Sequence, residues 1–162
     1  MRLKVLKYIY VLILCFGFSS WAQEKEDTKR IDSILVDINN TTVNVTLDST
    51  LILMDAFIAK HPKETYPIAY GRGLSLKAWF VTSKARYEES VRLGHEALEI
   101  QQENTDSTGI GQTLLRISIS NFQLNRVDDA FKYMEESLAY FIALKDTLRL
   151  DMAYNNLGVF SA

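Results

Sequence analysis

The sequence predicts an all-α fold of antiparallel helix pairs stacked along an axis. Three observations predict it. Apolar residues recur at three- and four-residue steps, the spacing that lines one face of a helix. Only two prolines, Pro62 and Pro67, interrupt the chain. The sequence also returns on itself every 40 residues, a period expected of helical hairpin repeats.

The N-terminal segment is read as a leader and not as part of the fold. Arg2, Lys4 and Lys7 form a basic start, followed by the apolar run Tyr8 to Phe18 and then Ser19-Ser20-Trp21-Ala22. Small side chains at Ser20 and Ala22 suit a signal peptidase and predict cleavage before Gln23. An uncleaved anchor is the rival reading, although the run barely spans a ~30 Å hydrocarbon core. Cys15 is the only cysteine and lies inside this segment, so the mature chain carries no thiol, disulfide or thiolate metal site. Leu14 precedes it where a lipoprotein signal needs a small residue. The expected location is outside the cytoplasm, in the periplasm or beyond.

Removing residues 1–22 leaves 140 residues, with 15 basic and 20 acidic side chains and a net charge of −5. That length suits one domain. The acidic balance and the lack of a basic run argue against a nucleic-acid partner.

Within residues 23–65, Ile31, Ile34, Leu35 and Ile38 mark one helix, and Leu51, Met54, Phe57 and Ile58 a second. Together they are read as a degenerate helix pair. The Asn/Thr-rich stretch from Asn39 to Thr46 reads as an exposed turn between them. Its N-x-Ser/Thr triplets at Asn39, Asn40 and Asn44 would be glycosylation acceptors only in a eukaryotic secretory protein.

Further along, Tyr87, Val91 and Leu98 stripe one helix, and Phe131, Met134, Leu138 and Phe141 another. Each stripe is too narrow to be stable alone and must be buried against a neighbour. The 40-residue repeat is carried by three pairs of segments. Arg86-Tyr87-Glu88-Glu89 returns as Arg126-Val127-Asp128-Asp129, Glu96-Ala97-Leu98 as Glu136-Ser137-Leu138, and Asp106-Ser107 as Asp146-Thr147. The last pair is N-cap chemistry, in which a side-chain oxygen accepts from a first-turn amide and contributes about 1 kcal/mol. The carboxylates at 88, 89, 128 and 129 face the positive ends of their helix dipoles. The expected units are residues 66–105 and 106–145, with 146–162 as an incomplete third.

At this point the chain resembles the tetratricopeptide repeat family. Tyr154, Leu157 and Gly158 match the family's first-helix pattern, and Leu74 with Ala78 and Leu114 with Ser118 hold the same register in earlier units. Tyr87, Ser90, Ala97 and Leu98 match the second-helix pattern, as do Ala130, Met134, Ser137 and Leu138. The resemblance covers residues 66–162 and extends more weakly over residues 27–65. It implies a right-handed superhelical solenoid whose first helices line a concave groove. The unit is six residues longer than the family's usual 34, with the extra length expected in the second helix and the turn after it. Similar long units occur in exported sensory regions of bacterial signalling proteins.

By that register the groove would present Arg72, Ser75, Trp79, Gln112, Leu115, Ile119, Phe122, Met152 and Asn155. A face of mixed apolar area, amides and one guanidinium suits an extended or helical peptide. Trp79 and Phe122 are open to either reading, core or groove wall. The Lys and Asn set that grips a chain-terminal carboxylate in some relatives is absent.

No catalytic constellation, metal site or cofactor is expected. His61 and His95 have no nearby second ligand and are read as surface or turn residues. Gly71-Arg72-Gly73 and Gly109-Ile110-Gly111 are too short for a phosphate loop and are read as helix starts or close helix contacts. The acidic doublets point about 100° apart on a helix and cannot converge as acid and base.

The expected function is therefore an exported scaffold for a protein or peptide partner, with membrane contact only through an uncleaved N-terminus. It would correspond to the sensory part of a signalling protein. Tyr154 and Leu157 lie on a first helix that no second helix follows in the sequence. Two expectations follow: a shortened version of a longer chain, or a homo-oligomer formed through residues 147–162.

Overall fold

The computed structural model describes residues 29–30, 33–40 and 46–161, and no strand occurs among them. The expectations for residues 1–22, Ile31 and Asn44 fall outside the described residues. The chain forms two compact units, Met1–Asp37 and Ile38–Ala162.

The helices are α1, described at residues 33–40, α2 (Leu47–Lys60), α3 (Pro67–Thr82), α4 (Tyr87–Glu103), α5 (Ser107–Gln123), α6 (Val127–Leu144) and α7 (Thr147–Phe160). Asn39 and Asn40 are still helical and belong to α1, not to a turn. α2 packs on α3, so the packing does not break at the sequence-based boundary near residue 65.

Local chemistry accounts for each start. Thr46 caps α2 by accepting from the Ser49 amide at 3.3 Å. Pro67 opens α3, where its missing N–H costs nothing. Asp106 caps α5 through the Gly109 amide at 3.1 Å, and Asp146 caps α7 through the Arg149 amide at 3.1 Å. α4 and α6 lack a side-chain cap and instead carry Glu88, Glu89, Asp128 and Asp129 in their first turns, where the helix dipole stabilises negative charge.

The stops repeat more strictly than the starts. Ala85, Thr105, Asn125 and Lys145 all take left-handed φ values, 58°, 53°, 60° and 54°. They stand 20 residues apart. At each, the next amide reaches back to a carbonyl five residues earlier, as in Arg86 to Val81 at 3.2 Å and Arg126 to Asn121 at 2.9 Å. This is the Schellman closure, made four times without a glycine. α3 to α6 are nearly equal in length, at 16, 17, 17 and 18 residues. The long unit is thus not an extended second helix alone.

Two apolar clusters hold the helices together. Leu74, Ala78, Val81, Leu93, Ala97 and Ile100 form one core cluster, and Leu115, Met134, Phe141 and Ala153 another. Small residues bring the helices close. A Cβ on Gly94 would lie 2.6 Å from Ile117, and one on Gly111 would lie 2.9 Å from Phe141. The Ser90 and Ser120 hydroxyls meet at 2.9 Å, and Thr82 reaches Ser90 at 2.7 Å. These three hydroxyls pin α3, α4 and α5 together.

Candidate functional site

From α2 to α7 consecutive helices pack as neighbours, and in addition α3 touches α5 and α5 touches α7. Among the described residues, α4 and α6 do not meet. Helices α3, α5 and α7 therefore form a continuous face, and α5 lies at its centre.

Which side chains that face presents is decided on α5. Thr113 bonds Gln101 of α4 at 2.7 Å, while Ser118 bonds the Ala130 carbonyl of α6 at 2.6 Å. Those two directions are occupied. What remains accessible on α5 is Ser107, Thr108, Gln112, Arg116, Ile119, Phe122 and Gln123, and five of these, Thr108, Gln112, Arg116, Ile119 and Gln123, make a stripe with steps of three and four residues. The positions in equivalent register are Ile68, Arg72, Leu76 and Trp79 on α3, of which Leu76 is buried, and Leu148, Met152, Asn156 and Val159 on α7.

The expected groove set divides accordingly. Trp79, Gln112 and Ile119 are half-buried, and Met152 and Asn155 are exposed. Ser75 and Leu115 are only 2% and 6% exposed. They are packed between helices and are not a surface a ligand can touch. Phe122 is half-buried, with its ring stacked on Phe160 at 4.2 Å. Arg72 is occupied by Asp106, donating Nε at 2.8 Å and Nη2 at 2.7 Å.

Arg116 was absent from the sequence-based set. A step of four from Gln112 reaches it, whereas a step of three reaches Leu115. It donates Nη1 to the Ser75 hydroxyl at 2.5 Å. The Thr113 hydroxyl lies 2.7 Å from both Ser75 and the Gln101 amide oxygen. Thr113 is the donor toward both oxygens and has one proton to share between them. A polar chain thus runs from the guanidinium into the core. Burial lowers the Arg116 pKa to about 10, with the nearby Arg149 charge adding to the effect. Arg116 nevertheless stays protonated at neutral pH.

The other two arginines of this face are neutralised. Arg149 pairs with Asp146 and also meets Gln112, whose amide oxygen is oriented to accept from Nε at 2.9 Å and Nη2 at 2.6 Å. Among the described residues, no carboxylate pairs with Arg116.

The histidines sit away from this face. His61 closes α2 with its Nδ1 at 2.8 Å from the Phe57 carbonyl, and His95 packs edge-on to Tyr133. Among the described residues, no three metal-ligating side chains converge, and no helix is long and apolar enough to cross a membrane. The chain matches no protein-family model and no curated protein.

Proposed function

We propose that this chain is an exported, tetratricopeptide-like scaffold that holds a segment of another protein against the α3–α5–α7 face. The observation that carries the reading is the asymmetry of helix contacts, with α3 touching α5 and α5 touching α7 while α4 and α6 stay apart. A stack with that asymmetry would curve toward α3, α5 and α7, as a right-handed solenoid of this family does. The inner wall then offers Trp79 and Ile119 as apolar area and Gln112 and Asn156 as amides. That mixture fits an extended or helical peptide better than a small polar substrate. The basic and apolar leader favours an envelope location, and a sensory role in a signalling protein is the specific form of this reading.

Peptide-display selection on the full chain tests it. Selected peptides are expected to lose binding to Trp79→Ala and Ile119→Ala, with far-ultraviolet dichroism unchanged. Equal loss to Glu135→Ala, on the exposed side of α6, would place the site elsewhere. A second reading, self-association, is favoured by Leu148 and Val159 of α7, which are 70% and 63% exposed. Sedimentation showing a concentration-dependent dimer that Leu148→Asp abolishes would select it instead.

A further inference from the structure

The groove reading leaves open what kind of peptide is held, and Arg116 answers this more specifically than the apolar wall does. Three guanidinium groups stand on or beside the α3–α5–α7 face. Arg72 is matched by Asp106 and Arg149 by Asp146, and those two aspartates are the equivalent N-caps of α5 and α7. Arg116 has only the Ser75 hydroxyl as a protein acceptor among the described residues. A guanidinium has five N–H donors, so most of its capacity is unused.

The unused donors are not sealed inside the protein. Arg116 is half-buried, and among the described residues the only buried side-chain nitrogen or oxygen without a partner is Gln101 Nε2, so the remaining Arg116 donors keep contact with solvent. They are also held in place. Ser75 accepts from one nitrogen of the fork, and Thr113, itself bonded to Gln101, holds Ser75 in turn. A half-desolvated cation without a counter-ion is costly in a folded protein. An arriving anion would remove that cost.

We propose that Arg116 is the receptor for a carboxylate side chain, Asp or Glu, on the partner peptide. The inference rests on the groove reading and adds the charge of the ligand. The planar fork suits a carboxylate, which can accept two parallel N–H bonds. Gln112 and Ile119, one turn to either side on α5, would contact the residues flanking the acidic one. The charge comes from a side chain and not from a chain terminus, so amidated peptides should bind as well as free ones.

The test uses the displayed library and then four measured affinities. Peptides selected by the full chain are expected to share an acidic residue at one position. Changing that Glu to Gln should weaken binding to the unaltered protein by about 10- to 100-fold, the range of a charge-assisted hydrogen bond. Against Arg116→Gln, the Glu and Gln peptides should bind alike, and Arg116→Lys should recover part of the preference. The thermal midpoint of Arg116→Gln should not fall. If Arg116→Gln does unfold, Arg116→Lys takes its place, where a Glu preference as large as that of the unaltered protein would overturn the inference and a reduced one is expected.

Selected peptides with no acidic position would overturn this inference and leave the groove reading standing. So would an acidic preference that survives Arg116→Gln, or one that disappears when the C-terminus is amidated. A library that yields no binder at all would remove both.

Discussion

Arg72 grips Asp106 across the gap between α3 and α5, with Nε and Nη2 at 2.8 Å and 2.7 Å from the two carboxylate oxygens. The same carboxylate caps α5 through the Gly109 amide at 3.1 Å. One side chain therefore starts a helix and ties that helix to the preceding unit. Because the aspartate is buried, removing either partner strands the other. Arg72→Ala is expected to lower unfolding free energy by about 2–3 kcal/mol, and Asp106→Ala by about 1 kcal/mol more through the lost cap. The double variant should cost clearly less than the sum of the two. Urea unfolding of the four proteins measures this, and simple additivity would disprove the coupling. It follows that weaker partner binding by Arg72→Ala would report stability as much as contact.

The four left-handed helix ends carry Ala, Thr, Asn and Lys where glycine is usual. Thr105 is the most strained, because a β-branched residue at φ 53° meets its own backbone. Thr105→Gly is expected to raise stability by about 1 kcal/mol, net of the greater freedom glycine has in the unfolded chain. Asn125→Gly should gain much less, since Asn tolerates this conformation. Thermal unfolding of both variants checks the order, and a loss at Thr105 would contradict it.

These helix ends also mark the limit of what the sequence reveals. The period of 40 was legible because Asp106 and Asp146 recur in capping positions. The finer period of 20 was not, because the closing residues share a backbone conformation and no side-chain chemistry. The register of the face was legible only to within one helical step. Steps of three and four from Gln112 lead to Leu115 and Arg116, both compatible with one side of a helix, and only the packing of Leu115 beside Met134 and Phe141 separates them. Arg72 had the right position and the wrong occupancy. Its partner is 34 residues away, and no helical spacing announces such a pair.

Two glycines in similar helical surroundings should respond in opposite senses to the same substitution. A Cβ on Gly94 would stand 2.6 Å from Ile117 Cγ1, whereas Gly158 has nothing within 4 Å. Gly94→Ala gains helix propensity of about 1 kcal/mol but overfills a packed contact at about 1–3 kcal/mol. A net loss of about 1 kcal/mol is expected. Gly158→Ala should gain several tenths of a kcal/mol, as for an exposed helix position. Ile117→Ala should cost less in the Gly94→Ala background than alone. Chemical denaturation gives all of these, and a stabilised Gly94→Ala would show that α4 and α5 can move apart.

Arg116 gives the prediction with the clearest pH signature. Its pKa is lowered to about 10 by burial and then by Arg149. For a base this means that the folded state holds its proton less tightly than the unfolded chain. From about pH 10 up to the ordinary arginine range the unfolded state binds more protons, so this group makes stability rise with pH through that window. Below pH 10 the full penalty of the charged, half-buried guanidinium is present. Arg116→Met removes it and should stabilise the protein at pH 7 by about 1–3 kcal/mol, while the Ser75 hydroxyl keeps Thr113 as partner. The advantage should shrink as pH rises above 10. Tyr70, whose pKa is raised by burial and by Glu96, pulls stability the opposite way above pH 10 in both proteins, so it cancels in the comparison. Paired denaturation curves at pH 7 and pH 10.5 provide the measurement. A destabilised Arg116→Met at pH 7 would mean that the guanidinium is a structural strut. A stabilised one would mean that the fold carries this charge at a cost, as expected of a residue kept for a ligand.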